Sequence, residues 1–333
     1  MTTVTDRPRV LLVFPLPDAA SEVRFAEHVE IVRPASRSED DLVDAVRGVA
    51  ALVTRGVGAT ISARVLEAGT ALQVVCAVGS GTDNIDIAAA TRLGIPVIHG
   101  AGVAPRAVAE YVIAGMVVGH RRLFALHDAV VSGDIEWATR VERFFGTELT
   151  GRTVGILGIG NIGREVARAT RAAFDAEVLA YDPFVGPAAV DGVEMVADLG
   201  ELLDRSLSVT VHVPALPETL GMLGDEELRR IGPDGVLVDA ARGGIVDEEA
   251  LISVLSAGGL KGAVVDVYAG EPPSAAQSKR LAAVPNLVMT PHVAGVTDQS
   301  LAGLSRGAVE GVLAVLAGRA PERVVSHSGG TDG

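Results

Sequence analysis

The stretch that most constrains this chain is Thr153-Val-Gly-Ile-Leu-Gly158-Ile-Gly160-Asn-Ile-Gly163, followed nineteen residues later by Asp182. Residues 153–157 are a short apolar run of strand type. They enter a Gly-x-Gly-x-x-Gly turn and then an alanine-rich helical segment, 164–173. A second apolar run, 177–181, ends on Asp182. Each glycine has a physical task in such a turn. Gly158 permits the tight strand-to-helix reversal, Gly160 lets backbone approach a pyrophosphate, and Gly163 lets the helix pack closely on the strand. The helix N-terminus presents unpaired N–H groups and partial positive charge to the phosphates. Asp182 is placed to accept hydrogen bonds from ribose hydroxyls. The chain holds 39 glycines, so the bare motif says little. The strand before it, the helix after it and the acid at the end of the next strand together specify a dinucleotide. Asp182 is followed by Pro183 and Phe184, with no Arg or Lys for a 2′-phosphate, so NAD rather than NADP is expected.

At 333 residues, two domains are expected. With 48% hydrophobic and 21% charged residues, the composition is that of a folded protein with a sizeable core. A net charge of −14 argues against nucleic acid and anionic membrane surfaces as partners. The single cysteine, Cys76, excludes an intramolecular disulfide and fits a reducing compartment. The first apolar run, residues 10–14, is too short for a signal-peptide core or a membrane span. A cytoplasmic protein that holds no metal is expected, with residues 326–333 as a loose polar tail.

Strand-like and helix-like segments alternate over the first hundred residues. Strands are expected at 10–14, 28–33, 51–54, 72–78 and 95–98, and helices at 40–46, 62–68 (capped by Ser62) and 87–93. This alternation argues a parallel sheet wrapped by helices. The glycine turn Gly79-Ser80-Gly81 follows one of these strands and is a candidate binding loop, because ligands sit beyond strand carboxyl ends in open α/β sheets. Residues 108–123 read as a long apolar helix. Residues 127–151 lack strand signals and carry Trp137, Phe144 and Phe145, which would either tuck under the domain or pack on a second subunit, the second being favoured. Beyond Asp182, strands are expected at 208–213, 236–240, 263–267 and 287–290. Helices are expected at 225–231 and 247–255, the latter capped by Asp247. The last helix, 299–316, has apolar residues at helical spacing, is not needed by the six-stranded sheet, and is expected to pack on the N-terminal domain.

Three polar residues follow successive strands of the second domain and therefore point to one sheet edge. They are Arg242 in Asp239-Ala-Ala-Arg-Gly-Gly, Glu271 in Asp266-Val-Tyr-Ala-Gly-Glu-Pro and His292 in Thr290-Pro-His-Val-Ala-Gly. An arginine is a fork that binds a carboxylate through two hydrogen bonds. A histidine gives or takes a proton near neutral pH, and a glutamate beside it holds one ring nitrogen and orients the ring. Beside a nicotinamide, the three would oxidise a hydroxyl or reduce a carbonyl next to a carboxylate.

With these motifs the chain resembles the D-isomer-specific 2-hydroxyacid dehydrogenases, over about residues 45–318. The matching segments are Val154-Gly-Ile-Leu-Gly-Ile-Gly-Asn-Ile-Gly163, Asp239-Ala-Ala-Arg-Gly-Gly-Ile-Val-Asp247, Asp266-Val-Tyr-Ala-Gly-Glu-Pro272 and Thr290-Pro-His-Val-Ala-Gly295. The resemblance implies an α/β fold of two Rossmann-like domains. A flavodoxin-like substrate domain would comprise 1–100 plus 296–333. An NAD-binding doubly wound parallel sheet would comprise 101–295, with a dimerisation helix and arm at 105–150 that build a homodimer. It implies Arg242 as carboxylate anchor, Glu271 as histidine partner and His292 as acid/base. Implied cofactor contacts are Ser80, Asn161, Ile162, Asp182, Val213, Ala240 and Asp266, the last holding the nicotinamide carboxamide. Val78 and Gly79 would meet the substrate carboxylate through backbone N–H groups. Arg55 matches an arginine that phosphoglycerate dehydrogenases use on substrate, whereas Ala77 and His99 depart from an arginine and an asparagine common at those places. The chain is also expected to carry no regulatory C-terminal domain. The implied activity is hydride transfer between NAD(H) and a small D-2-hydroxy or 2-keto acid, phosphoglycerate-like or hydroxypyruvate/glyoxylate-like. A non-catalytic NAD-sensing corepressor is one alternative. Phosphite is an alternative substrate, although the Lys often present in the 76–81 loop of phosphite enzymes is lacking.

Overall fold

The computed structural model describes residues 7–325 apart from 57, 101, 144 and 187–189. The chain divides into two compact units, Met1–Ala104 with Val296–Gly333, and Pro105–Gly295. Phe144 and the tail at 326–333 lie outside the described residues.

The first unit is built on five parallel strands: β1 (Arg9–Leu12), β2 (Glu30–Val32), β3 (Ala51–Thr54), β4 (Val74–Ala77) and β5 (Val97–His99), in the order β2-β1-β3-β4-β5. That is the flavodoxin-like order. Strand residues alternate between faces. Leu11, Leu52 and Val75 pack under the helices that carry Leu42, Leu66 and Ala89. Val10, Leu12, Val53 and Cys76 face the other way, onto Phe25, Val309 and Val312. The last helix, Asp298–Leu316, therefore covers this sheet.

Seven parallel strands form the second unit: β6 (Thr153–Leu157), β7 (Glu177–Tyr181), β8 (Glu194–Met195), β9 (Ser208–Val211), β10 (Val236–Asp239), β11 (Gly262–Val265) and β12 (Leu287–Met289). Their order is β12-β11-β10-β9-β6-β7-β8, so the winding reverses between β6 and β9. Ligands of doubly wound sheets sit beyond strand carboxyl ends at such a point. The sheet has one strand more than expected, because β8 spans two residues and leaves almost no apolar signal. The helix Pro105–Arg121 lies on β10 and β11, where a Cβ on Gly119 would come within 2.6 Å of Val236 Cγ1.

Ser62 and Asp247 cap their helices as the sequence predicts, accepting from the amides of Val65 and Ala250. The helices Ala19–His28, Leu199–Arg205 and Ala275–Ala282 are additional to the sequence reading. Each begins at a side-chain cap, Asp18, Asp198 and Ser274. Their apolar residues are too few to announce them. The arm also differs from expectation. The long helix ends at Arg121, Arg122 adopts φ +51°, and a second helix, Leu123–Ser132, follows with no buried residue. Leu123, Phe124, Val131, Trp137, Val141 and Phe145 are all exposed in the single chain. No helix among the described residues is long and apolar enough to cross a membrane.

Candidate active site

The glycine loop shows three different reasons for glycine. Gly158 has φ +92°, and a Cβ there would lie 2.9 Å from the His212 carbonyl oxygen and 2.8 Å from Val213 Cγ1. A Cβ on Gly163 would lie 2.2 Å from the Gly158 carbonyl oxygen, closer than any packing tolerates. Gly160 caps the helix Asn161–Phe174, and a Cβ there would meet nothing within 4 Å. The fold itself therefore does not demand a glycine at 160. The open space over this backbone leaves room for a dinucleotide pyrophosphate to approach it. No side chain caps this helix, so its first turn, with Asn161 and Ile162, is left to an anion. Asp182 closes the loop: its Oδ2 accepts from the Ile159 amide and its Oδ1 from the Phe184 amide, both at 3.0 Å. Val213 and Ala240 follow β9 and β10 on the same edge.

Arg242, Glu271 and His292 follow β10, β11 and β12. The His292 Nδ1 lies 2.6 Å from Glu271 Oε2, and Glu271 Oε1 accepts from the Tyr268 amide at 3.1 Å. A carboxylate only accepts, so Nδ1 carries the hydrogen and Nε2 is the nitrogen left for chemistry. The imidazole is partly open, with 39% of its side chain exposed against 23% for Glu271. His292 sits at φ +55°, a left-handed conformation that non-glycine residues hold only when their surroundings impose it. Asp266 imposes it here. Its carbonyl accepts from the His292 amide at 2.9 Å, and its carboxylate accepts from the amides of Val293 and Ala294 at 2.8 and 2.7 Å. Thr290 Oγ1 donates to the same carboxylate at 2.5 Å and lies 2.6 Å from the Tyr111 hydroxyl. The Arg242 turn is locked to the Glu271 turn, because a Cβ on Gly243 would sit 1.7 Å from the Tyr268 carbonyl oxygen.

Two expectations change with this geometry. Asp266, expected to hold a carboxamide, is fully buried and its carboxylate is committed inside the unit, as the strap of the His292 turn. Val78, expected to offer its N–H to a carboxylate, donates it to the Thr54 carbonyl at 2.8 Å and extends the β3–β4 pairing. Gly79, at φ +138°, and the exposed Ser80 begin the free loop beyond it. Arg55 donates to the Pro15 carbonyl at 2.9 Å, and its guanidinium stands 5.4 Å from the Phe14 ring centroid. Arg37, absent from the sequence reading, stands 4.6 Å from the same centroid.

Tyr268 and Thr290 lie inside motifs already singled out, but their role is visible only once the turns are packed together. Tyr111 comes from a distant helix and carries no sequence signal. Asp239, 3% exposed, has its carboxyl pushed up to about 7 by burial, with the nearby Asp266 charge adding to the shift and the Ala241 amide opposing it. Among the described residues no cluster could hold a metal ion.

A glycine loop at a winding reversal and a His–Glu pair on the same sheet edge make up the candidate site of the second unit. Residues 113–294 match the family described as "D-isomer specific 2-hydroxyacid dehydrogenase, NAD binding domain". The chain is 36% identical over 294 residues to a D-3-phosphoglycerate dehydrogenase of Archaeoglobus fulgidus, covering 88% of this chain and 54% of that protein. It superposes on the crystal structure of a Thermus thermophilus protein with TM-score 0.85 and 31% identity, covering 96% and 100% of the two chains. For an NADPH-dependent glyoxylate/hydroxypyruvate reductase of Sinorhizobium meliloti the values are 0.83, 26%, 98% and 99%. The chain belongs to the D-isomer specific 2-hydroxyacid dehydrogenase family. It spans about half the length of the curated relatives it matches, 54%, 59% and 56% of three of them.

Proposed function

We propose that the chain is an NAD-dependent dehydrogenase that interconverts a D-2-hydroxy acid and its 2-keto acid, phosphoglycerate-like or hydroxypyruvate/glyoxylate-like. A phosphorylated three-carbon acid is the favoured substrate. The observation that carries the reading is the Glu271–His292 pair on the edge where the glycine loop opens. When bound, NADH would supply the hydride in reduction and NAD would receive it in oxidation. In reduction the His292 imidazolium gives its Nε2 proton to the carbonyl oxygen, while Glu271 holds Nδ1–H and balances the ring charge. In oxidation neutral Nε2 takes the hydroxyl proton. Arg242 binds the carboxylate with its fork and Gly79 contributes its amide. Ser80, Asn161, Ile162, Asp182, Val213 and Ala240 contact the cofactor. The Asp182 carboxylate selects ribose hydroxyls over a 2′-phosphate by repulsion.

Two observations support the phosphorylated substrate. Relatives that span this chain are named D-3-phosphoglycerate dehydrogenase. Arg37 and Arg55 also flank one phenyl ring, and neither forms an ion pair with a described carboxylate, which suits a second anionic group. The named relatives are hydroxy-acid and keto-acid enzymes, so neither the phosphite nor the sensor alternative gains support. NADH consumption should be measured with glyoxylate, hydroxypyruvate and 3-phosphohydroxypyruvate. Turnover is expected, fastest with the last; NADH binding without turnover of any would favour the sensor. We further propose a cytoplasmic homodimer formed through residues 105–150, because the arm exposes several large apolar side chains that water disfavours.

A further inference from the structure

We propose that Tyr111 is a positioning residue for His292: acting through Thr290 and the Asp266 carboxylate, it holds the turn that aims the imidazole. The inference rests on the dehydrogenase reading, which makes His292 the proton carrier. Tyr111, Gly115 and Gly119 are spaced by four and so share one face of the helix Pro105–Arg121. Gly119 lies over Val236, where β10 begins, and Gly115 over Val238, whose Cγ1 a Cβ would meet at 3.2 Å. The helix thus runs antiparallel to β10, and its preceding turn carries Tyr111 past the carboxyl end of the strand. Two glycines bring the helix close enough for a phenol to reach the edge where the candidate site lies. There the Tyr111 hydroxyl lies 2.6 Å from Thr290 Oγ1.

Thr290 Oγ1 has a single hydrogen and donates it to Asp266 Oδ1 at 2.5 Å, so Tyr111 is the donor to the threonine. The phenol keeps its proton for this. Burial pushes its pKa up to about 12 against the Thr290 contact, with the nearby Asp266 charge adding to the shift. The other polar groups of Thr290 are committed too, its amide to the Val265 carbonyl at 3.0 Å and its carbonyl to the Tyr268 hydroxyl at 2.7 Å. Asp266, aligned by the threonine, accepts from the Val293 and Ala294 amides, and these bonds impose the left-handed φ of His292. Successive hydrogen bonds ending on a carboxylate polarise one another. The phenol therefore tightens the His292 turn from two bonds away.

Tyr111→Phe removes the hydroxyl and keeps the ring. Two readouts are taken on the full chain. One is hydrogen exchange of the Val293 and Ala294 amides by NMR, without substrate. The other is the rate of the first turnover when the NADH complex meets saturating 3-phosphohydroxypyruvate, or hydroxypyruvate or glyoxylate where the parent chain uses that faster. Tyr111→Phe is expected to speed the exchange and to slow the first turnover by about three- to tenfold each, the worth of one hydrogen bond. KM and NADH affinity should stay within about twofold of the parent chain's values. Thr290→Val breaks the same chain of hydrogen bonds one step nearer to Asp266. Adding Tyr111→Phe to it should change the rate by less than about twofold, because the route runs through the threonine. Should the valine variant fail to fold, Tyr111→Phe alone decides. Tyr111→Phe matching the parent chain in either readout, a loss confined to KM or NADH affinity, or the full loss persisting beside Thr290→Val would overturn the inference. Failure of the dehydrogenase reading shows separately, as absence of turnover by the parent chain with all three keto acids, and the exchange readout then still decides whether Tyr111 holds the turn.

Discussion

At the scale of single residues, the site depends on hydrogen bonds that leave each group one role. Glu271 accepts on both oxygens, so it fixes the imidazole rather than exchanging protons. Glu271→Gln is expected to lower turnover less than loss of the histidine, because the amide oxygen still receives Nδ1–H but no longer balances the ring charge. A steady-state rate equal to that of the parent chain would count against the pairing. Arg242→Ala should damage KM and kcat together, since its charge serves the bound acid and the transition state alike. Two buried groups also set opposing pH dependences. Asp239 titrates at about 7 in the fold, well above its ordinary value, so its protonated form is favoured there. Its contribution is therefore lost as pH rises from about 4 to about 7, a total of about 4 kcal/mol at ~1.4 kcal/mol per unit. His120 is fully buried beside Ser208 and titrates at about 4, because burial disfavours its charged form. Its contribution is lost in the opposite direction, as pH falls from about 6.5 to about 4. Asp239→Asn should therefore gain stability relative to the parent chain progressively as pH rises from about 4 to about 7, and should lose more than the parent as pH falls through the same window, where Asp239 no longer offsets His120. Thermal unfolding between pH 4 and 8 reads this directly, and parallel curves for the two proteins would refute it.

At the scale of elements, the glycine loop separates what the fold requires from what a ligand requires. Gly163→Ala should cost about 1–3 kcal/mol of stability, as overpacking does, because its Cβ would press on the Gly158 carbonyl. Gly160→Ala should leave thermal stability almost unchanged yet weaken NADH on the order of tenfold, because only a bound pyrophosphate would meet the new methyl. Equal effects of the two alanines on stability would remove the evidence for the phosphate. The same loop was the most legible part of the sequence, since strand, turn, helix and terminal acid each leave a local pattern. The turns carrying Arg242, Glu271 and His292 were legible for the same reason, each following an apolar run. What escaped the sequence has no local pattern. The strap by Asp266 joins residues 27 and 28 positions apart, and the Tyr111–Thr290 contact joins residues 179 apart. The helix Leu123–Ser132 leaves no sequence signal because it buries nothing and so shows no amphipathic stripe.

At the scale of the whole molecule, parallel sheets wrapped by helices are legible in the alternation of strands and helices, the strand orders are not, and the last helix is assigned to the first unit because the second sheet does not need it. The exposed apolar side chains of the arm lead to an expected dimer, and sedimentation velocity at micromolar concentration should show twice the chain mass; a monomer would contradict it. A charged substitution such as Val131→Asp, at a position 72% exposed in the single chain, should shift the equilibrium towards monomer. The central claim is that His292, held by Glu271, transfers the proton while the glycine loop independently holds the cofactor. It is tested most directly by steady-state NADH oxidation with 3-phosphohydroxypyruvate for the parent chain and His292→Ala, alongside NADH affinity by fluorescence. The account predicts that kcat falls by about 10²–10⁴-fold with NADH affinity unchanged. Near-full turnover in His292→Ala, with NADH still bound, would contradict it.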